Sequence, residues 1–297
     1  MNAISNGIQK RQNEAANIAK LKAADRLYNE TKRLTFLEFL FAVILPFLFS
    51  CIDPYFQSGG KFVTVLPHLL SIISMLLSFL LKPVIDAKIT LAADIKQDFD
   101  VSVYQMPWNR DLFGEKRNLT REIAENSAMG RSDDAFQDWY RPEADASPLK
   151  DGIFECQREN YAWDDGLRGR YKTLCIWGLV GLITLIIFIE LFKESSVVAL
   201  LASLAFIVPI LSWLLKTVGA LNADLKRLED MKASFQSADV RTMKDLQIIQ
   251  KSLHEHRKKA VIPPGFLYRM YRDNDEEKAR QMIEMAQWGK RDGTDSL

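Results

Sequence analysis

The sequence predicts a mainly α, integral membrane protein. Four transmembrane helices in two hairpins join a mostly helical cytosolic domain, built from the N-terminal, middle and C-terminal segments. Three observations lead there. Four apolar runs lie at 34–52, 62–81, 174–192 and 197–215, each close to the roughly 20 residues an α-helix needs to cross a bilayer core. Long charged segments separate them. The basic residues fall unevenly on the two sides of the runs. Whole-chain averages hide this pattern: mean hydropathy is −0.09 and the charged fraction 26%, because two unlike materials are pooled.

The N-terminal segment, 1–33, carries Lys10, Arg11, Lys20, Lys22, Arg26, Lys32 and Arg33, and reads as a cytosolic helix from residue 8 to 34. No secretory leader with a small-residue cleavage site precedes the first run, which is expected to remain as a membrane helix. The first hairpin, 34–81, has only Lys61 between its spans. The middle segment, 82–173, is rich in Lys and Arg. The second hairpin, 174–215, has only Lys193 between its spans, and Lys216 opens the basic C-terminal region, 216–297. By the positive-inside rule both termini and the middle segment are expected to be cytoplasmic. The two halves end alike, Leu77-Ser78-Phe79-Leu80-Leu81-Lys82 and Leu211-Ser212-Trp213-Leu214-Leu215-Lys216. Duplication or a shared snorkelling-Lys helix end both account for that.

Within the soluble segments, 86–96 lacks Gly and Pro and continues span two as a helix, which Pro83 should bend. Phe99 to Tyr104 alternates like a strand and 106–109 turns. A helix is expected at 120–128, a polar loop at 132–148 around Trp139 and Tyr140, and a helix from Gln157 through Tyr171 into span three. After span four, Leu221, Leu225, Leu228 and Met231 keep helical spacing. A second amphipathic helix, 240–259, puts Val240, Met243, Leu246, Ile249 and Leu253 on one face and ends before Pro263-Pro264-Gly265. The tail, 291–297, reads as frayed.

In the membrane, Thr64, His68, Ser71, Ser74, Ser78 and Lys82 fall within roughly 120° of arc on span two. A polar stripe of that depth is what one helix of a water-filled, pore-lining wall offers. Small polar residues also serve close helix packing, and Ser74 with Ser78 has the spacing for it, so both roles stand. Gly178, Gly181, Ala199 and Ser203 read as close-packing positions. Glu38 and Glu190 sit near span ends, where headgroups solvate carboxylates.

The soluble segments show no catalytic constellation: no phosphate loop, nucleophile elbow or dinucleotide fingerprint, and no cofactor is implied. His254-Glu255-His256 does not make a metal site, because residues two apart on a helix diverge; a solvated face is expected there. Cys51, Cys156 and Cys175 form neither a disulfide framework nor a zinc pattern. A formal net charge of +1 gives no pull toward DNA. Aromatic and cationic residues interleave instead, with Trp108 and Arg110, Arg141 after Trp139-Tyr140, and Arg158 before Trp163. Arg forks pair with phosphate and aromatic faces stack on bases, so these residues suit a cyclic di- or oligonucleotide. Interfacial anchoring or core packing of the same aromatics is the competing role.

Several of these features together resemble the SMODS-associated four-transmembrane effector family. The matching residues are Phe99-Asp100 with Pro107-Trp108, then Cys156-Gln157-Arg158-Glu159-Asn160-Tyr161-Ala162-Trp163 with 167–171, and Ile262-Pro263 with Tyr268, in a 2+2 hairpin order. The resemblance implies a pore-forming effector of bacterial antiphage signalling, located in the bacterial inner membrane. Such an effector would receive a nucleotide second messenger from a partner nucleotidyltransferase and assemble, as a homo-oligomer in the lipid bilayer, a lesion that arrests the infected cell. The alternative is a non-conducting membrane scaffold that recruits a cytosolic partner.

Overall fold

A computed structural model describes residues 5–56, 61–193, 197–236 and 242–264, with Leu267 and Met270. Among them the chain forms helices and no strand. In order these are α1 (Ile8–Gln12), α2 (Ala15–Phe39), a π-helical turn (Leu40–Ile44), α3 (Leu45–Phe56), α4 (Lys61–Val103), α5 (Arg110–Phe113), α6 (Thr120–Ser127), a 3₁₀ turn (Asp133–Phe136), α7 (Pro142–Asp145), α8 (Leu149–Lys193), α9 (Val197–Gln236) and α10 (Met243–Lys259). Three helical stretches among the described residues, Ala15–Ile52, Val63–Val103 and Phe206–Phe235, are long and apolar enough to cross a membrane. The third apolar run of the sequence lies within α8. Val240, Gly265 and the 291–297 tail fall outside the described residues, as do the side chains of Glu190, Ala199 and Ser203.

The chain divides into two compact units. One is drawn from Met1–Tyr28, Ile89–Gly169 and Asp224–Leu297, the other from Asn29–Lys88 and Arg170–Ala223. Helices α2, α4, α8 and α9 each contribute residues to both.

The two-segment unit is apolar on the outside. On α4, Ile72, Ile73, Leu76, Leu77, Phe79 and Leu80 are exposed, whereas Pro67, Ser71, Ser74 and Ser78 are buried. That inverts the usual soluble pattern and suits a lipid surround. Phe39 meets Trp213 edge-on at 5.1 Å, and the His68 ring lies 4.6 Å from that of Phe206. The π turn of the first span has a local cause. Pro46 lacks the N–H that would bond the Ala42 carbonyl, and its ring would crowd that carbonyl in a regular helix. The widened turn makes room, and the Ser74 hydroxyl donates to the neighbouring Phe41 carbonyl. At Gly178 and Gly181 an added Cβ meets no atom of the described residues within 4 Å.

The three-segment unit has an ordinary core, in which Ile8, Leu21, Phe99, Val103, Tyr104, Tyr140, Ile153, Leu228, Leu246 and Leu253 form one cluster. Residues 99–103 belong to α4, not to a strand. Phe99, Val101, Val103 and Tyr104 are all buried, so the alternation in sequence does not mark two faces. The helix stops where Gln105 adopts a φ of 50°, with Met106 N–H bonding the Val101 carbonyl at 3.0 Å, and Pro107 follows. α6 fills the expected 120–128 helix to Ser127, and α10 covers the expected 240–259 helix from Met243 onward. α10 begins at a capping box in which Thr242 and Asp245 satisfy each other's backbone N–H. The expected N-terminal helix breaks after Gln12, where Asn13 caps α1.

Gly152 marks a close approach. A Cβ there would collide with the Ala144 carbonyl oxygen and the Asn6 side chain. Gly152→Ala is expected to cost about 1–3 kcal/mol through overpacking, seen as a lower thermal midpoint of the detergent-purified protein. Gly169→Ala, where an added Cβ meets nothing within 4 Å, is the control that does not lower it.

Candidate functional site

The three-segment unit is held together by buried polar groups, and these converge on α10. Asp100 on α4 is fully buried. It accepts from Arg257 Nη1 at 2.5 Å, from the Tyr140 hydroxyl at 2.6 Å and from Gln250 Nε2 at 3.0 Å. Tyr140 in turn accepts from the Tyr104 hydroxyl at 2.9 Å and from Asn160 Nδ2 at 3.0 Å. A relay of amides runs alongside, from Gln157 to Gln250 at 3.1 Å and from Gln250 to Gln97 at 2.8 Å. Burial works against ionising Asp100, but Arg257, Lys96 and the Tyr140 hydroxyl outweigh it and hold the carboxyl below its ordinary range. Burial first, then the Asp100 charge among other causes, pushes the Tyr140 hydroxyl well up, so it remains a donor.

Two further carboxylates anchor α10. His254 Nε2 lies 2.9 Å from Asp94 Oδ1, and His256 Nδ1 lies 3.0 Å from Asp224 Oδ1. Asp224 also accepts from Arg168 Nε at 2.5 Å, from Arg227 at 3.1 Å and from the Val261 N–H at 3.1 Å. The expectation of a solvated face at His254-Glu255-His256 is therefore corrected. The two histidines do diverge, but each is buried against its own carboxylate. No group of three metal-ligating side chains occurs among the described residues. Cys156 is no candidate nucleophile. Burial, then Glu159 and Asp100, push its thiol well above the ordinary value.

Lys96 is the odd member. Its Nζ is buried with no hydrogen-bond partner among the described residues, 3.8 Å from the centroid of the Trp139 ring and 4.8 Å from that of Phe99. Burial lowers its pKa to about 7 against an ordinary 10.5, with Asp100 and Glu159 opposing and Arg257 assisting. The unfolded chain therefore holds this proton more tightly than the folded one. The cost of charging Lys96 is present in full below about pH 7 and fades as pH rises toward 10.5. Paired melts should show wild type gaining on Lys96→Met between pH 6.5 and 9.5. A constant gap between the two would contradict the burial of this charge.

A hollow of about 730 Å³ opens beside α2, α4 and α6 of the same unit, with Lys20, Lys116 and Arg117 in its lining. Asp98 is its acidic residue, held by Lys20 at 2.9 Å and by Lys116 at 3.3 Å.

The family model described as the SMODS-associating 4TM effector domain matches residues 6–286, which take in every helix named above. The chain belongs to this family. No curated protein and no solved structure matches it. Membership and the apolar helices together make this effector a multi-pass membrane protein of a SMODS nucleotidyltransferase-associated group.

The residues that carried the family resemblance are largely explained by the buried network. Phe99, Asp100, Cys156, Gln157, Asn160 and Tyr161 all lie in it or in the core around it. The candidate ligand residues are more scattered. Trp108 donates from Nε1 to the Gly114 carbonyl at 2.9 Å, packs on Phe113, and carries Lys116 over its ring at 5.6 Å. Arg110 pairs with Glu115 at 3.4 Å and Arg141 with Glu159 at 3.4 Å, while Arg158 turns back to Glu155. Arg141 and Arg158 share no hydrogen bond or ion pair with Trp108 or Arg110. The Trp163 side chain lies outside the described residues. In the effector's spans, Ser71, Ser74 and Ser78 are 0%, 3% and 7% exposed, Thr64 and His68 are half-buried, and Lys82 is exposed with Asp86 at 2.8 Å.

Proposed function

We propose that this effector is a ligand-gated, pore-forming membrane protein of antiphage defence, without catalytic activity of its own. Four spans, 34–52, 62–81, 174–192 and 197–215, cross the bacterial inner membrane as two hairpins. Both termini and the 82–173 segment are cytoplasmic, where the three-segment unit forms the sensor. A cyclic di- or oligonucleotide from the partner nucleotidyltransferase binds that unit, with Trp108, Arg110, Arg141, Arg158 and Trp163 as the aromatic and cationic residues suited to it. The spans of a homo-oligomer then rearrange. The face of span two carrying Thr64, His68, Ser71, Ser74, Ser78 and Lys82 becomes pore-lining, and ions leak.

One observation carries this reading. A membrane-effector family chain has four helices, α2, α4, α8 and α9, that each run out of a unit with a buried polar network. A ligand that changes packing in that unit acts on helices that lead directly into all four spans. Buried serines on α4 suit a closed state, in which the polar face is sealed by neighbouring helices. Moving such a gate from mostly closed to mostly open needs about 5.5 kcal/mol of differential affinity, which several ligands on one oligomer supply more readily than one.

Dye release from liposomes holding the purified full chain tests this. Release is expected on adding one member of a cyclic nucleotide panel and not with the linear mononucleotides. A chain that binds a nucleotide without release supports the scaffold instead.

A further inference from the structure

The hollow beside α2, α4 and α6 is chemically one-sided. Among the described residues its lining includes three cations, Lys20, Lys116 and Arg117, against one carboxylate, Asp98. Lys20 and Lys116 both converge on Asp98, and Arg117 reaches away to Asp94 at 2.5 Å. Lys116 and Arg117 are 58% and 56% exposed, so neither charge is sealed from an incoming anion. The rest of the wall includes small or apolar side chains, Ala16, Ala19 and Ala124 with Leu119 and Ile123. Its volume of about 730 Å³ falls within the roughly 300–1,000 Å³ typical of small-ligand sites.

An anionic end and a flat, weakly polar body are what such a cleft accepts. We propose that it binds a phosphodiester-bearing nucleotide, with Lys20, Lys116 and Arg117 taking phosphate oxygens and the alanine-rich wall facing a base. The choice of a nucleotide rests on the function proposed above; the charge and shape of the hollow do not. The occupied state differs from the empty one by an exchange of ion pairs. A phosphate competes with Asp98 for Lys20 and Lys116, and with Asp94 for Arg117. Asp94 and Asp98 both sit on α4, and Lys20 sits on α2. These are the helices that continue into the first two apolar runs, so the exchange loosens straps that tie α4 to α2 and to the 114–119 loop.

The test uses the full chain in zwitterionic nanodiscs, with affinity measured by calorimetry. The probes are cyclic di-AMP, cyclic di-GMP, cyclic GMP-AMP and cyclic tri-AMP. Soluble dihexanoyl phosphatidylglycerol, a headgroup phosphodiester, is a separate arm. Lys116→Ala and Arg117→Ala are each expected to weaken the bound nucleotide roughly tenfold, as loss of one charge-assisted bond does. Lys116→Arg should largely restore affinity. Arg121→Ala, exposed on α6 and outside the lining, should leave it unchanged, and all variants should melt with the wild type.

Equal nucleotide affinity in wild type and in both alanine variants would overturn this site while leaving the sensor reading intact. Binding of the lipid but of no nucleotide would overturn the ligand class. Binding of no probe by the wild type would overturn both proposals. Alanine-sensitive binding without dye release would uphold the hollow and remove the pore.

Discussion

Asp100→Ala is expected to destabilise the three-segment unit by about 3–5 kcal/mol, the usual cost of breaking a buried ion pair from one side. Asp100 takes hydrogen bonds from Arg257, Tyr140 and Gln250. Removing it leaves a buried guanidinium and two buried donors without their acceptor. Arg257→Ala should cost a similar amount. The double variant Asp100→Leu with Arg257→Met should be clearly more stable than the two losses summed, because neither charge is then stranded. Because the folded state holds Asp100 below its ordinary 3.8, its contribution is present at neutral pH and disappears as pH falls through the lowered value. Wild type and Asp100→Ala should therefore converge in acid. Urea unfolding of the detergent-purified chain, followed by near-UV circular dichroism at neutral and acid pH, reads these differences. A neutral Asp100→Ala would mean that the network is not what closes the unit.

Substituting Ser71, Ser74 and Ser78 together by leucine is expected to abolish ligand-triggered dye release while leaving nucleotide affinity unchanged. All three are buried in the two-segment unit, and the Ser74 hydroxyl also satisfies the Phe41 carbonyl in the widened turn. Leucine removes the hydroxyls that water would solvate along an open face and thickens a seam built for small side chains. Undiminished release from the triple variant would eliminate this face of α4 as the conducting wall. Loss of both release and binding would show instead that the substitution had disturbed the whole protein.

The apolar runs were legible because lipid imposes a length and a composition on a contiguous stretch of chain. The packed face of α10 was legible too, since Met243, Leu246, Ile249 and Leu253 repeat at helical spacing. What could not be read is pairing over long separations. Arg257 and Asp100 are 157 residues apart and Gln250 and Gln97 are 153 apart, and nothing local marks either pair. His254 and His256 looked like solvent-facing residues because a carboxylate that meets a histidine from another helix leaves no trace beside it in sequence. Residues 99–104 imitated a strand because Asp100 and Ser102 stand two apart among apolar residues, and Asp100 is buried in a polar network rather than marking a solvent face. The lysines and arginine of the hollow were hidden as ordinary surface charges. Only the fold brings Lys20 beside Lys116.

The position of α10 in the chain sets an order of assembly. By the time a ribosome has passed the last apolar run at residue 215, Asp100 has been synthesised but Arg257 has not, and Asp224 and His256 both still follow. The apolar runs of a nascent polypeptide thus all emerge while the three-segment unit is still an open clasp, before α10 can close it. Chains cut short before residue 257 would hold every apolar run yet leave Asp100 without its arginine.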